Sequence, residues 1–215
     1  MAPEKLSRRD QILQQLAAMM ESNDGTPITT AALARNIKVS EAALYRHFSG
    51  KKAMFAALIE FIETTLFSRI NAVLSEKHSA TERIADIVHI LLLIIENNPG
   101  MSKILTREAL VREDISLHIR VNQLFERLDS QIKQVIKEAS AKEGLKSALG
   151  TSEASKLIIA IPEGLIQQFI RSDFKDSPIA KWQLLWPLLS SRLFINLFNA
   201  PSNADQDNHD IAADT

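Results

Sequence analysis

The feature that most constrains the fold of this 215-residue chain is the spacing of its apolar residues, which recur every three or four positions along most of its length. Near the N-terminus, Ile12, Leu16 and Met20 follow this spacing, and the stretch from Phe55 to Leu74 repeats it over several turns. This period belongs to an α-helix with one apolar face, and we find no alternating pattern of four or more residues that indicates a strand. The sequence therefore predicts an all-α protein.

Turn residues divide this pattern into nine predicted helices. Asp24-Gly25, Ser49-Gly50 and the run 97–100 break the pattern, and residues 142–150 are expected to form a loop. Pro162 and Pro187 fall inside helical patterns and are expected to kink their helices. The predicted helices span residues 11–20, 29–37 (from Thr29 or Thr30), 40–48, 52–74, 81–96, 101–107, 110–141, 151–172 (capped by Thr151 or Ser152) and 178–198.

Charge is unevenly distributed and suggests three parts. Residues 1–52 hold eight Lys and Arg against five acids, whereas residues 201–215 hold four Asp and no base. The sequence thus predicts a helix-turn-helix domain over 1–52 and a larger helical body over 53–200, joined through the long helix from residue 52. An acidic, disordered tail is predicted over 201–215. A positive excess in the small N-terminal part suits a partner that is a polyanion.

Composition argues against several classes of function. The chain has no Cys, which excludes disulfides and thiolate metal sites, and its Gly spacing forms no phosphate-binding loop. The pairs His78/Glu82 and Asp86/His89 share helix faces but lack a third ligand, so no metal, cofactor or enzymatic activity is expected. The longest apolar run has six residues, and the N-terminus has no secretory signal, which predicts a cytoplasmic protein without a membrane segment.

Residues 27–48 have the size and rhythm of a helix-turn-helix. Ser40 is placed to cap the second helix, and small residues such as Ala42 at its start would let the backbone approach a DNA major groove. Phosphate contacts could come from the later residues of that helix, from the start of the first helix and from the following lysine. A capped helix pair also occurs in many proteins that do not bind DNA. The candidate DNA-contacting residues are Thr29, Thr30, Ser40, Ala42, Tyr45, Arg46, His47 and Lys51.

The segments ITTAALA (28–34) and VSEAALYRHF (39–48), with Lys51, resemble the DNA-binding motif of the TetR family of regulators. The resemblance implies a two-fold dimer with an N-terminal helix-turn-helix that binds palindromic double-stranded DNA. It also implies that Thr29, Thr30, Ser40, Ala42, Tyr45, His47 and Lys51 lie at the DNA.

Further segments resemble the nucleoid-occlusion subgroup of that family over about residues 8–195. These are residues 58–63, 68–71, 98–100, 104–106, 122–127, 169–175 and 186–188. The resemblance implies a DNA-bound, nucleoid-associated dimer that binds the tubulin-like protein FtsZ and inhibits assembly of the division ring. It further implies a partner groove at Phe61, Arg69, Ile90 and Asn98. Leu93 and Asn97 depart from the small and basic residues expected there.

The last two predicted helices carry more apolar surface than one small body readily hides, which predicts a homodimer contact. An intramolecular core is the other interpretation of the same residues. The 87–95 stripe and the 110–141 helix could instead line a small-molecule pocket, which would favour a TetR-type repressor released by an effector. The candidate interface residues are Leu157, Ile161, Leu165, Phe169, Trp182, Trp186 and Leu189.

Overall fold

A computed structural model describes residues 7–22, 28–76 and 78–196. Within these ranges the chain is helical almost throughout, as the spacing predicts. Its helices are α1 (Arg8–Glu21), α2 (Thr30–Asn36), α3 (Glu41–Tyr45), α4 (Lys51–Ser75), α5 (Ala80–Glu96), α6 (Pro99–Leu105), α7 (Ile115–Glu138), α8 (Thr151–Arg171) and α9 (Pro178–Leu193). A 3₁₀ turn (Glu108–Leu110) precedes α7, and a π-helical turn (Ala139–Glu143) follows it. The predicted break at Asp24-Gly25 and the predicted tail at 201–215 lie outside the described residues.

The structure confirms the all-α class and adds two short strands to it. β1 (Leu145–Ser147) lies in the segment predicted as a loop, and β2 (Phe194–Asn196) replaces the end of the last predicted helix. They pair antiparallel, with Lys146 opposite Ile195. Each strand has three residues, too few to show an alternating pattern, and their pairing joins segments far apart in sequence.

Several predicted helix boundaries also move, because capping groups decide them. The third helix ends at Tyr45 rather than at 48, and Phe48 follows in a turn with its amide bonded to the Leu44 carbonyl. α7 begins at Ile115 rather than at residue 110, because the Asp114 carboxylate caps it. α5 begins at Ala80 through a capping box of Ser79 and Glu82. α8 is preceded by Gly150 and not by a hydroxyl cap.

Pro162 and Pro187 both lie inside continuous helices. Pro162 occupies the middle of α8 and is buried, whereas Pro187 lies on the exposed side of α9. The loss of one backbone donor at each site does not divide the helix.

The core of the body is formed around α5, whose apolar residues are almost all buried. α4, α7, α8 and α9 pack around it. At its N-terminal end Arg83, only 8% exposed, forms ion pairs of 3.1 Å with Glu138 and with Glu143. Glu143 also accepts the Ala80 amide hydrogen, so this cluster ties the start of α5 to the end of α7.

The N-terminal module packs on the body through a very close contact between α1 and α6. A Cβ atom added at Gly100 would lie 1.9 Å from the Ala17 carbonyl oxygen. No side chain fits that space, so glycine at this position allows the two helices to meet. The sequence break at Asn97–Gly100 therefore serves packing as well as ending α5.

Among the described residues no single helix is long and apolar enough to cross a bilayer. α5 and α6 reach that length only together, and the chain bends by 117° between them.

Candidate nucleic-acid interface and partner groove

α2 and α3 form a helix-turn-helix with both starts capped as the sequence predicts. The Thr29 hydroxyl accepts the Ala32 amide hydrogen at 3.1 Å, and the Ser40 hydroxyl accepts that of Ala43 at 3.1 Å. Lys38 adopts a left-handed conformation (φ 54°) in the turn between them. The starts of both helices are therefore set by local hydrogen bonds.

Burial of one side of α3 decides which side remains free. Leu44 is fully buried and Phe48 is 5% exposed. Ala42 and Tyr45 lie on the outer side, and 49% of the Tyr45 side chain is exposed. Tyr45 is thus a surface residue and not the edge of the core, and the outer face of α3 has the small start that entry into a major groove requires.

Arg46 and His47 follow α3 in an exposed turn. The Thr30 hydroxyl donates to a Glu41 carboxylate oxygen at 3.0 Å, which links the start of α2 to the start of α3. Thr30 is therefore engaged within the module, whereas Arg46 and His47 leave their polar atoms at the surface.

Lys51 is held differently from what the sequence suggests. Its ammonium lies 2.5 Å from a Glu113 carboxylate oxygen, and 26% of its side chain is exposed. Lys52 lies 2.8 Å from Asp114 in the same way. Hydrogen bonds from Lys52 and Ser116 hold the pKa of Asp114 well below its usual value. Sequence reasoning missed these two carboxylates, because they come from a turn more than 60 residues further along the chain.

Two arginines at the start of α1 also belong to this module and were missed. Arg8 donates to the Ile37 carbonyl at 3.2 Å, and the Arg9 guanidinium lies 5.1 Å from the centre of the Phe48 ring. A capped helix that begins with two basic residues was the available signal. Both arginines brace α2 and α3 from the side of α1.

The four predicted groove residues have different environments. Phe61 is 47% exposed on α4, and Arg69 lies two turns further along the same helix and is exposed. Asn98, between α5 and α6, is partly buried and donates its side-chain amide to the Ile94 carbonyl at 2.8 Å. Ile90 is 8% exposed and packs in the core, so it has little surface left for a partner.

The two departures from the subgroup lie at the end of α5. Leu93 is partly buried, whereas Asn97 is exposed and donates its side-chain amide to the Leu93 carbonyl at 3.0 Å. α4 is fixed beside them by Arg120 of α7, whose guanidinium pairs with Glu63 at 2.6 Å and also donates to the Ala56 carbonyl. Arg120 therefore ties α4 to α7.

The predicted dimer residues must be revised, because four of the seven lie inside this chain. Trp182 and Trp186 stack at 5.0 Å and donate to the Ala85 and Thr81 carbonyls of α5. Leu165 and Phe169 are likewise buried. The inner face of α8 contains Ala154, Ile158, Pro162, Leu165 and Phe169, so only the second half of the predicted set on this helix faces the core.

A different face of α8 and α9 remains uncovered. Leu184, Leu185 and Leu188 on α9 are 73%, 42% and 70% exposed, and Leu157 on α8 is 40% exposed. Ile161 and Leu189 are partly buried beside them. A Cβ atom added at Gly164, on this part of α8, would meet no atom of the chain within 4 Å.

The predicted pocket-lining residues of α5 are buried in the core, but a cleft opens beside α7. It has a volume of about 450 Å³ and is lined by α7, α8 and the turn after α6, with Arg107, Phe125, Lys156 and Glu163 among its residues. Burial raises the pKa of the Glu163 carboxyl. Charges of both signs line the cleft.

Comparison with known proteins agrees with this arrangement. Residues 12–58 match the N-terminal domain of bacterial regulatory proteins of the tetR family, and residues 77–194 match the tetracyclin repressor-like C-terminal domain of the SlmA-like type. The chain is 48% identical over 196 residues to the nucleoid occlusion factor SlmA of Marinomonas sp., covering 91% of this chain and all of that protein. The chain belongs to the SlmA family within the TetR regulators. An SlmA of Escherichia coli is 46% identical over 190 residues, which are 88% of this chain and 96% of that protein.

Solved structures support the fold of this SlmA-family chain. The MbdR regulator from Azoarcus sp. superposes with a TM-score of 0.74 over 88% of this chain and all of that one, at 16% identity. The regulator FadR from Bacillus subtilis, solved with stearoyl-CoA, superposes with a TM-score of 0.69 over 86% of this chain and all of that one, also at 16% identity. At this identity the likeness establishes the fold alone. The chain therefore has the fold of these TetR-family regulators.

Proposed function

We propose that this chain acts as a nucleoid occlusion factor. In this role a homodimer binds palindromic DNA and inhibits assembly of the division ring over the chromosome by binding FtsZ. The observation that carries the proposal is the full-length likeness to SlmA proteins at 48% identity. It would work in the cytoplasm, on the nucleoid, as a septation inhibitor without cofactor or catalytic step.

The DNA step would be performed by the outer face of α3. Ala42 allows close approach, while Tyr45, Arg46 and His47 extend toward phosphate oxygens. The caps Thr29 and Ser40 begin the two helices, and the positive helix N-termini favour phosphate nearby. Lys51 would add a further phosphate contact.

A second copy of the chain would cover the exposed leucines of α8 and α9. The Lys181 side chain donates to Gln168 at 3.2 Å, so the two antiparallel helices run side by side from that point. Leu185 and Leu188 then lie beside Gly164 and Ile161, which together form one apolar face. Two-fold pairing through this face suits the spacing of about 34–36 Å that separates successive major grooves on one side of DNA.

The FtsZ step would use the outer side of α4. Phe61 is a large exposed apolar residue, and Arg69 brings a positive charge to the same helix. An aromatic and an arginine are the residue types that most often dominate protein interfaces. Asn98 would contribute at the edge, while Ile90 would support the groove from inside.

Two variants separate the DNA step from the FtsZ step. Tyr45→Ala should weaken binding to a palindromic duplex by about tenfold or more, measured by fluorescence anisotropy, without lowering the melting temperature. Phe61→Ala should leave DNA binding unchanged and abolish the effect of the DNA-bound protein on FtsZ sedimentation. Each variant is the control for the other, since both remove one exposed aromatic ring.

A genome-wide map of bound sites then distinguishes occlusion from repression. Sites spread round the chromosome but absent near the terminus are expected. If the DNA-bound protein leaves FtsZ assembly unchanged, and a metabolite releases it from a single promoter, the protein is a TetR-type repressor with an effector and the proposal is wrong.

A further inference from the structure

The contact between Lys51 and Glu113 lies where the DNA-binding module meets the body. Lys51 and Lys52 are the first two residues of α4, six and seven residues after Tyr45, which ends α3. Glu113 and Asp114 come from the turn that precedes α7. The two lysines that begin α4 are thus paired with carboxylates of the body in the DNA-free chain.

Helix electrostatics explain why these carboxylates are needed. The N-terminus of a helix carries a partial positive charge, so two lysines in the first turn of α4 are unfavourable there. Gly50, which precedes them, supplies no side-chain cap. Glu113 and Asp114 offset the excess positive charge, and the Glu113 side chain is only 13% exposed.

The same geometry makes Glu113 a competitor of DNA. A phosphate and a carboxylate both seek the Lys51 ammonium, and they repel each other when they share it. We propose that Glu113 is a residue that sets the affinity of this protein for DNA, because Lys51 must leave Glu113 before it binds a phosphate. The inference rests on the proposed position of Lys51 at the DNA backbone.

Asp114 shows how the body holds the pair in place. One carboxylate oxygen accepts the Ser116 amide hydrogen at 2.8 Å, while the other lies 2.8 Å from Lys52. The turn is therefore anchored to the start of α7 and keeps Glu113 next to Lys51. Since Asp114 also caps α7, a change there would disturb the helix, whereas Glu113 caps no helix.

A double-mutant cycle in the full-length dimer tests the proposal. Binding to a palindromic duplex is measured for the wild type, Glu113→Gln, Lys51→Ala and the double variant at low salt. We expect Glu113→Gln to tighten binding by about fivefold, the equivalent of ~1 kcal/mol, which is the upper range for an ion pair near the surface. We expect Lys51→Ala to weaken DNA binding by a factor about five times larger in the Glu113→Gln background than in the wild type. In that background Lys51 is not paired with a carboxylate at Glu113 before DNA binds.

Glu108→Gln is the matched control, since it removes the same charge from an exposed residue five positions before Glu113. Glu108→Gln should change the affinity for DNA by less than about twofold. If both variants tighten DNA binding equally, the effect comes from net charge alone and the proposal is wrong. If Lys51→Ala weakens DNA binding equally in both backgrounds, the proposal is also wrong, although Lys51 then still contacts the DNA. If Lys51→Ala does not weaken DNA binding in either background, Lys51 does not contact the DNA, and Glu113 cannot compete with DNA for it.

Discussion

The contact at Gly100 gives a prediction whose size follows from the structure. In Gly100→Ala the new Cβ would lie 1.9 Å from the Ala17 carbonyl oxygen and 3.0 Å from the Glu21 amide nitrogen. Ordinary carbon contacts are about 3.5 Å, so α1 must move away from α6 by about 1.5 Å. Both obstacles are backbone atoms, which no change of rotamer can relieve.

Extra volume in a packed contact costs about 1–3 kcal/mol. Replacing glycine by alanine inside a helix returns up to about 1 kcal/mol, but Gly100 is the second residue of α6, where that gain is smaller. We therefore expect a net loss of about 0.5–2.5 kcal/mol in the free energy of unfolding. Urea denaturation followed by circular dichroism measures it.

Gly164→Ala is the matched control, because its Cβ meets no atom of the chain within 4 Å. It should leave the stability of the chain unchanged or raise it slightly. Sedimentation of both variants is measured as well, since a loss for Gly164→Ala together with dissociation of the dimer would mean that a second chain covers this face. A Gly100→Ala protein within about 0.5 kcal/mol of the wild type would refute the close contact between α1 and α6.

Four further predictions concern the body. Arg83→Met should lower the free energy of unfolding by about 2–4 kcal/mol in urea denaturation, because it leaves Glu143 without its cation and Glu138 with only Lys142 at 3.7 Å. A loss under about 1 kcal/mol would contradict this. Hydrogen bonds from Gln134 and then from Arg83 lower the pKa of Glu138. The ionised Glu138 therefore stabilises the fold above pH ~4.5, and this contribution to the free energy of unfolding should be lost as the pH falls below that value. The loss should be smaller in Arg83→Met. Burial raises the pKa of Glu163, so its ionised form opposes folding at pH 7 and its protonated form does not at low pH. Glu163→Gln should therefore raise the melting temperature more at pH 7 than at pH 4. An equal rise at both pH values would refute this prediction. Leu188→Glu should give monomers in sedimentation without unfolding the chain, since the residue is 70% exposed, and an intact dimer would exclude this face as the interface.

Local features of the DNA-binding module could be predicted from the sequence because short-range hydrogen bonds decide them. Thr29 and Ser40 each cap a helix through an amide three residues later. The outward position of Tyr45 followed from the spacing of Leu44 and Phe48 on the inner face. The helical class of the body was equally clear, because one apolar face per helix is a property of each segment alone.

Tertiary structure decided which apolar face meets which partner. Trp182 and Trp186 are as apolar as the leucines of α9, and only their packing against α5 separates core from free surface. The pairing of β1 with β2, the Arg83 cluster and the contact of Lys51 with Glu113 each join residues about 50 or more positions apart. Such contacts depend on where whole helices lie, and the periodicity of one segment carries no information about its distant neighbours.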